Sequence, residues 1–112
     1  MTKANANWSE TWRRFFKVLN RKGMRIAAVT VGATEVLLTA DPAGENKTTL
    51  KDRGLLEIYN NSAAIIYVGP TGVAVTTGIP ILPTDYYHWY SEDDLYAIAA
   101  GAGNDVRIME TK

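Results

Sequence analysis

The chain has no cysteine, one histidine and four prolines, and no stretch approaches the roughly 18 apolar residues of a membrane-crossing helix. Without cysteine there is neither a disulfide frame nor a thiolate metal site. The fold therefore rests on packing and hydrogen bonds, and the redox compartment stays open. The first residues, MTKANANWSE, lack the apolar core of a secretory signal, so the expectation is a soluble chain made in the cytoplasm, without membrane contact. No internal repeat or low-complexity tract is visible. With 112 residues there is room for one domain and one core, and none for a second.

Charge is balanced overall but unevenly placed. Residues 1–25 carry Lys3, Arg13, Arg14, Lys17, Arg21, Lys22 and Arg25 against Glu10 alone, a net of +6; the remainder carries five bases and eleven acids, a net of −6. A basic arm beside a mildly acidic body points to an acidic binding surface, on a protein or a nucleic acid. The acidic body and the lack of a recognised nucleic-acid motif favour a protein.

Within that arm, WSETWRRFFKVLNRK (residues 8–22) has the spacing of an amphipathic helix. Trp8, Trp12, Phe15, Phe16 and Leu19 share one stripe, while Arg13, Lys17 and Arg21 recur every fourth residue on the other side. Asn7 is placed to cap the helix, Glu10 to complete a capping box, and Gly23 to end it. A lone helix of this length is marginal in water. Its aromatic stripe therefore needs a surface, either on its own β body, on a sister subunit or on another protein. The candidate partner-binding residues are Trp8, Trp12, Phe15, Phe16 and Leu19, with Arg13, Arg14, Lys17 and Arg21 meeting acids opposite.

From Met24 onward the period changes to that of strands. The segments MRIAAVTV, EVLLTA, GLLEIYN, AAIIYVG, GVAVT, DYYHWY, LYAIAA and DVRIME recur about every ten residues, separated by Gly, Pro, Asn and Asp and by no helical pattern. This predicts a mainly β fold, an antiparallel β-sandwich of seven or eight short strands over residues 24–112, preceded by the N-terminal amphipathic helical arm over residues 1–23. Asn60 and Asn61 are expected to turn the chain, and DPAGENKTT (residues 41–49) is the expected mobile loop.

Reactive constellations are few. His88 precedes Ser91, Asp93 and Asp94, but neighbours on a strand end and turn point in different directions, whereas a hydrolytic triad needs convergence and an oxyanion hole. Glu92, Asp93 and Asp94 lack the spacing of a calcium loop. Gly69-Pro70-Thr71-Gly72 and Gly101-Ala102-Gly103 lead into no helix and carry no P-loop lysine, so they read as hairpin turns. No enzyme activity, metal or cofactor is expected. Tyr86, His88, Trp89 and Tyr90 form a candidate ligand surface for stacking on a sugar. Strand alternation sets Tyr86, His88 and Tyr90 against Tyr87 and Trp89, which is equally the pattern of packing.

The order of motifs from about Met24 to Glu110, through "RGLLEIYNNSAAIIYVGPTGVAVTTGIPILP" to "DLYAIAAGAGNDVRIME", resembles a family of small accessory virion proteins of tailed bacteriophages. The likeness covers roughly the last four-fifths of the chain; the first 23 residues depart from it. It implies a β-sandwich on the virion: a capsid decoration (cement) protein, a head-fibre base, or a collar or tail component. The implied partners are the major capsid protein or another virion protein, and other copies of itself as a homo-oligomer. Asn60, Ser62, Tyr67, Gly69, Gly78 and Leu82 match the pattern, which implies turn and core roles for them.

Overall fold

The computed structural model describes residues 23–42 and 46–112. The helix expected over residues 8–22 lies outside the described residues. Within them the chain is mainly β, with eight strands: β1 (Arg25–Val31), β2 (Val36–Leu37), β3 (Leu55–Asn60), β4 (Ile66–Gly69), β5 (Ile79–Ile81), β6 (Tyr86–Trp89), β7 (Tyr96–Ile98) and β8 (Asn104–Thr111). They form two four-stranded antiparallel sheets, ordered β1-β8-β3-β6 and β2-β7-β4-β5. No helix among the described residues is long and apolar enough to cross a membrane.

Strand alternation decides which side chains meet. In the first sheet Val29, Val31, Leu56, Ile58, Val106 and Ile108 turn inward; the second sheet answers with Ile66, Val68, Ile81 and Ala97, and all ten belong to one core with Leu38, Ala40, Leu95 and Ala99. Tyr87 and Trp89 of β6 close its margin. Each fully buried aliphatic residue contributes roughly 1.5–3 kcal/mol of transfer free energy, so the shared core is the main reason the sheets face each other.

The expected strand GVAVT is replaced by turns. Val73 N donates to Pro70 O (3.1 Å), and the amides of Thr77 and Gly78 both donate to Ala74 O (3.0 and 2.8 Å). These local bonds use the donors a ladder would need. The strand falls instead on Ile79–Ile81, across Pro80, which pairs opposite Tyr67. Because β5 ends its sheet, the missing proline N–H costs no interior hydrogen bond. Gly78 lets this turn fold tightly: a Cβ there would come within 2.8 Å of the Tyr67 Cβ. EVLLTA yields only two paired residues, after which Leu38 to Ala40 run buried beneath the core margin. The described ends of the 41–49 loop are tied together, Thr48 N donating to Asp41 Oδ2 at 2.8 Å.

Asn60 and Ser62 hold the turn after β3. Asn60 is fully buried; its Nδ2 donates to Ala64 O (2.8 Å) and Ile81 O (2.9 Å), and its Oδ1 accepts from Ser62 N (3.0 Å) and Ser62 Oγ (2.6 Å). One amide thus joins β3, the turn and β5. Leu82 differs, being 53% exposed just past β5 rather than in the core.

Candidate attachment surface

The antiparallel register of the first sheet places residues abreast in rows. Ile26, Met109, Glu57 and His88 form one outward row; Ala28, Arg107, Tyr59 and Tyr86 form the next. Inward rows alternate with these, so all eight belong to the face away from the core. Ile26 is 76% exposed and Tyr86 58%. Between them lies a shallow depression of about 480 Å³ whose walls are mostly apolar.

Aromatic and charged groups on this face are arranged in pairs. The Tyr59 and Tyr86 rings lie 4.7 Å apart at 41°, a tilted cross-strand pair. His88 Nε2 is 3.4 Å from Glu57 Oε1, and its ring is 6.3 Å from that of Tyr90. Arg107 reaches Asp105 with Nη2 at 2.9 Å from Oδ2, and Asn61 donates to the same carboxylate at 2.8 Å. The Arg107 hydrogen bond, followed by that from Asn61, holds the Asp105 carboxyl below its ordinary value, and Asp105 in turn raises Arg107. The face is therefore an apolar and aromatic centre bordered by the Arg107–Asp105 ion pair, with a composition suited to contact.

The sequence candidates divide between places. Tyr86 and His88 stand on the outward face, and exposed Tyr90 follows them. Trp89 is on the inner side, half-buried against the core, and its Nε1 donates to Asp93 O at 3.2 Å. Of the candidate ligand surface, Tyr86, His88 and Tyr90 thus remain exposed, with Tyr59 beside Tyr86 from β3. Trp8, Trp12, Arg13, Arg14, Phe15, Phe16, Lys17, Leu19 and Arg21 lie outside the described residues.

His88 finds Glu57, while Ser91 Oγ accepts from Asp93 N at 2.9 Å and Asp94 Oδ1 accepts from Thr49 Oγ1. These groups do not converge. Among the described residues no cluster of three His, Cys, Asp or Glu is placed to hold a metal ion. Tyr59, Met109, Ile26 and Arg107 were not singled out by sequence reasoning; the available signal was their outward phase in β3, β8 and β1, which joins them only once the register is known.

A second polar group sits at the end of the core. Glu110, on the inward phase of β8, is fully buried. Its Oε1 accepts from Ala40 N (2.7 Å), Arg25 Nη2 (2.9 Å) and Thr39 Oγ1 (3.0 Å), and its Oε2 from Arg53 Nη1 (2.9 Å) and Leu50 N (3.1 Å). Arg53 is also spent on the carbonyls of Ser91 (3.0 Å) and Asp93 (2.8 Å). A carboxylate so fully occupied offers no lone pair to a substrate; it fastens both ends of the β2–β3 connection and the start of β1 to β8. No protein-family model, curated protein or solved structure matches this chain.

Proposed function

We propose that this chain is a non-enzymatic structural protein of a tailed-phage virion, a capsid decoration (cement) or head-fibre-base component that attaches to the major capsid protein or another virion protein and forms homo-oligomers there. The motif order from Met24 to Glu110 supports the virion setting. The observation that carries the attachment reading is the open aromatic face of the β1-β8-β3-β6 sheet. That face begins at Ile26, directly after the basic segment of residues 1–25. Exposed apolar patches on small domains mark contact surfaces. In this reading residues 8–22 form the amphipathic helix, Trp8, Trp12, Phe15, Phe16 and Leu19 supply its apolar contact, and Arg13, Arg14, Lys17 and Arg21 meet acids on a neighbour.

The test is particle binding followed by electron microscopy. Full-length protein should decorate its particle. A variant carrying Arg13→Glu, Lys17→Glu and Arg21→Glu should lose attachment while keeping its β circular-dichroism spectrum, and so should a chain lacking residues 1–23. Unchanged attachment by both variants would overturn the arm's role, and absence of the protein from every particle would overturn the virion reading.

The exposed Tyr86, His88 and Tyr90 favour one second reading, a host-surface glycan-binding module. It expects glycan-array binding that disappears in Tyr86→Ala. A blank array removes it.

A further inference from the structure

Among the described residues the two sheets end in four edge strands, and three of these are blunted. β2 pairs over two residues, β5 carries Pro80, and β6 is four residues long. Short edges, proline and exposed charge are the usual guards against unwanted strand pairing. β1 has none of them. Its seven residues, RIAAVTV, pair with β8 without a bulge and include neither proline nor lysine. Its one charge, Arg25, sits at the end of the strand and is turned onto Glu110 at 2.9 Å.

Hydrogen-bond phase shows what the open side of β1 offers. Asn60 N donates to Asp85 O at 3.0 Å and Asn61 N to Asp105 O at 3.1 Å, so even-numbered residues of β3 bond toward β6 and odd-numbered ones toward β8. Carried across β8, the same alternation commits Arg25, Ala27, Val29 and Val31 to β8. Ile26, Ala28 and Thr30 therefore present their N–H and C=O groups to the free edge, and all three are exposed. Such an edge is a template for another strand.

A second copy of β1 is complementary to it. A two-fold axis perpendicular to the sheet sets two copies antiparallel, and centring it on Ala28 is the one register that pairs all seven residues. Ile26 then faces Thr30 of the second copy, and Ala28 faces its own equivalent. The six outward N–H groups, three from each copy, each meet a carbonyl. The two Arg25 side chains fall at opposite ends, and small Ala28 occupies the centre. On the inner side Ala27, half-buried at the margin of the core, comes opposite Val29 of the second copy, so apolar packing runs on across the junction.

We infer that the chain dimerises through β1, antiparallel about Ala28, joining two four-stranded sheets into one of eight strands. Both outward faces then lie side by side and point the same way, so they stay open for attachment. This gives the homo-oligomer of the proposed function its surface; it rests on self-association in that reading and not on the virion setting.

The test begins with light scattering on the full-length protein, which should show twice the chain mass over about 1–100 µM. Ala28→Pro removes an N–H that the monomer does not use, so this variant should be monomeric with an unchanged β circular-dichroism spectrum. The amides of Ile26 and Thr30 should exchange slowly with solvent in the wild type and freely in the variant. Because the chain has no cysteine, single substitutions then read the register. Ala28→Cys places two equivalent Cα atoms about 5.5 Å apart, within disulfide reach, whereas Thr30→Cys leaves them four residues, roughly 14 Å, apart. On mild oxidation Ala28→Cys should form the linked dimer at least about ten-fold faster than Thr30→Cys. A dimer that survives Ala28→Pro, or equal rates of linkage, would overturn the inference. So would a wild-type monomer throughout that range, and slow exchange of Ile26 and Thr30 in such a monomer would assign the edge to a segment of the same chain. Particle attachment, scored separately with the charge-reversed variant, reports on the virion reading alone.

Discussion

The Arg53 guanidinium lies 2.9 Å from the Glu110 carboxylate, with both side chains closed to solvent. The two come from different parts of the chain, a loop before β3 and the last turn-facing segment of β8, yet each completes the other's hydrogen bonding. The pair's net worth is limited by the cost of taking two charges out of water. Removing Arg53 is another matter, because the buried Glu110 then loses one of its two cations and its Oε2 keeps only the Leu50 amide, with Arg25 left on Oε1. Arg53→Met should lower unfolding free energy by about 3–5 kcal/mol, read from urea denaturation. A loss under about 1 kcal/mol would mean that Arg25 alone compensates Glu110.

The same carboxylate sets an acid limit on stability. Burial alone raises the Glu110 pKa, but the amides of Ala40 and Leu50, the Thr39 hydroxyl and Arg53 outweigh burial and hold it below the ordinary 4.5. A folded-state value below the unfolded one means that the ionised form stabilises the fold. The contribution is fully present above the unfolded pKa and is lost as pH falls through the folded one. Urea midpoints should therefore hold down to about pH 5 and decline below it, and Glu110→Gln should start lower and decline less steeply. Parallel declines in both proteins would place the acid sensitivity elsewhere.

Asn60 joins three elements with one side chain. Asn60→Ala strands the carbonyl of Ile81 and the donors of Ser62, and each buried polar group left unpaired costs about 1–3 kcal/mol. A total loss of roughly 2–4 kcal/mol is expected by thermal or urea unfolding. Ser62→Ala, which keeps the Asn60 amide bonds, should cost less than half as much. Equal losses would show that the hydroxyl, not the amide, organises the turn.

Thr84 adopts φ 62° in the connection between β5 and β6, where its N–H donates to Asn60 O at 2.8 Å. A β-branched residue in the left-handed region is strained. Replacing Thr84 by glycine keeps the N–H and removes the clash, so a gain of about 0.5–1 kcal/mol is expected in the same unfolding assay. Destabilisation would show that the Thr84 side chain contributes more than its backbone costs.

Much of the β architecture was legible because strand alternation is a local property. Val29 and Val31, Leu56 and Ile58, and Val106 and Ile108 carry the two-residue period in their own segments, and those strands were placed within a residue or two of their bounds. The stretch after Gly69 misled for an equally local reason: GVAVT is β-branched, but its amides close turns on Pro70 and Ala74, and the strand falls on a proline-bearing edge instead. Propensity carries no information about which strand will end a sheet.

The sequence by itself determined the period of the strands, the polar turns between them, the absence of disulfide chemistry and the separation of a basic segment from an acidic remainder. Only the tertiary structure decided that Ile26, Met109, Tyr59 and Tyr86 share a face and that Glu110 closes the core with Arg53 and Arg25. The physical reason is that a face is built from residues paired across strands more than twenty positions apart. Local pattern fixes the phase of each strand, while register and sheet order fix its neighbours.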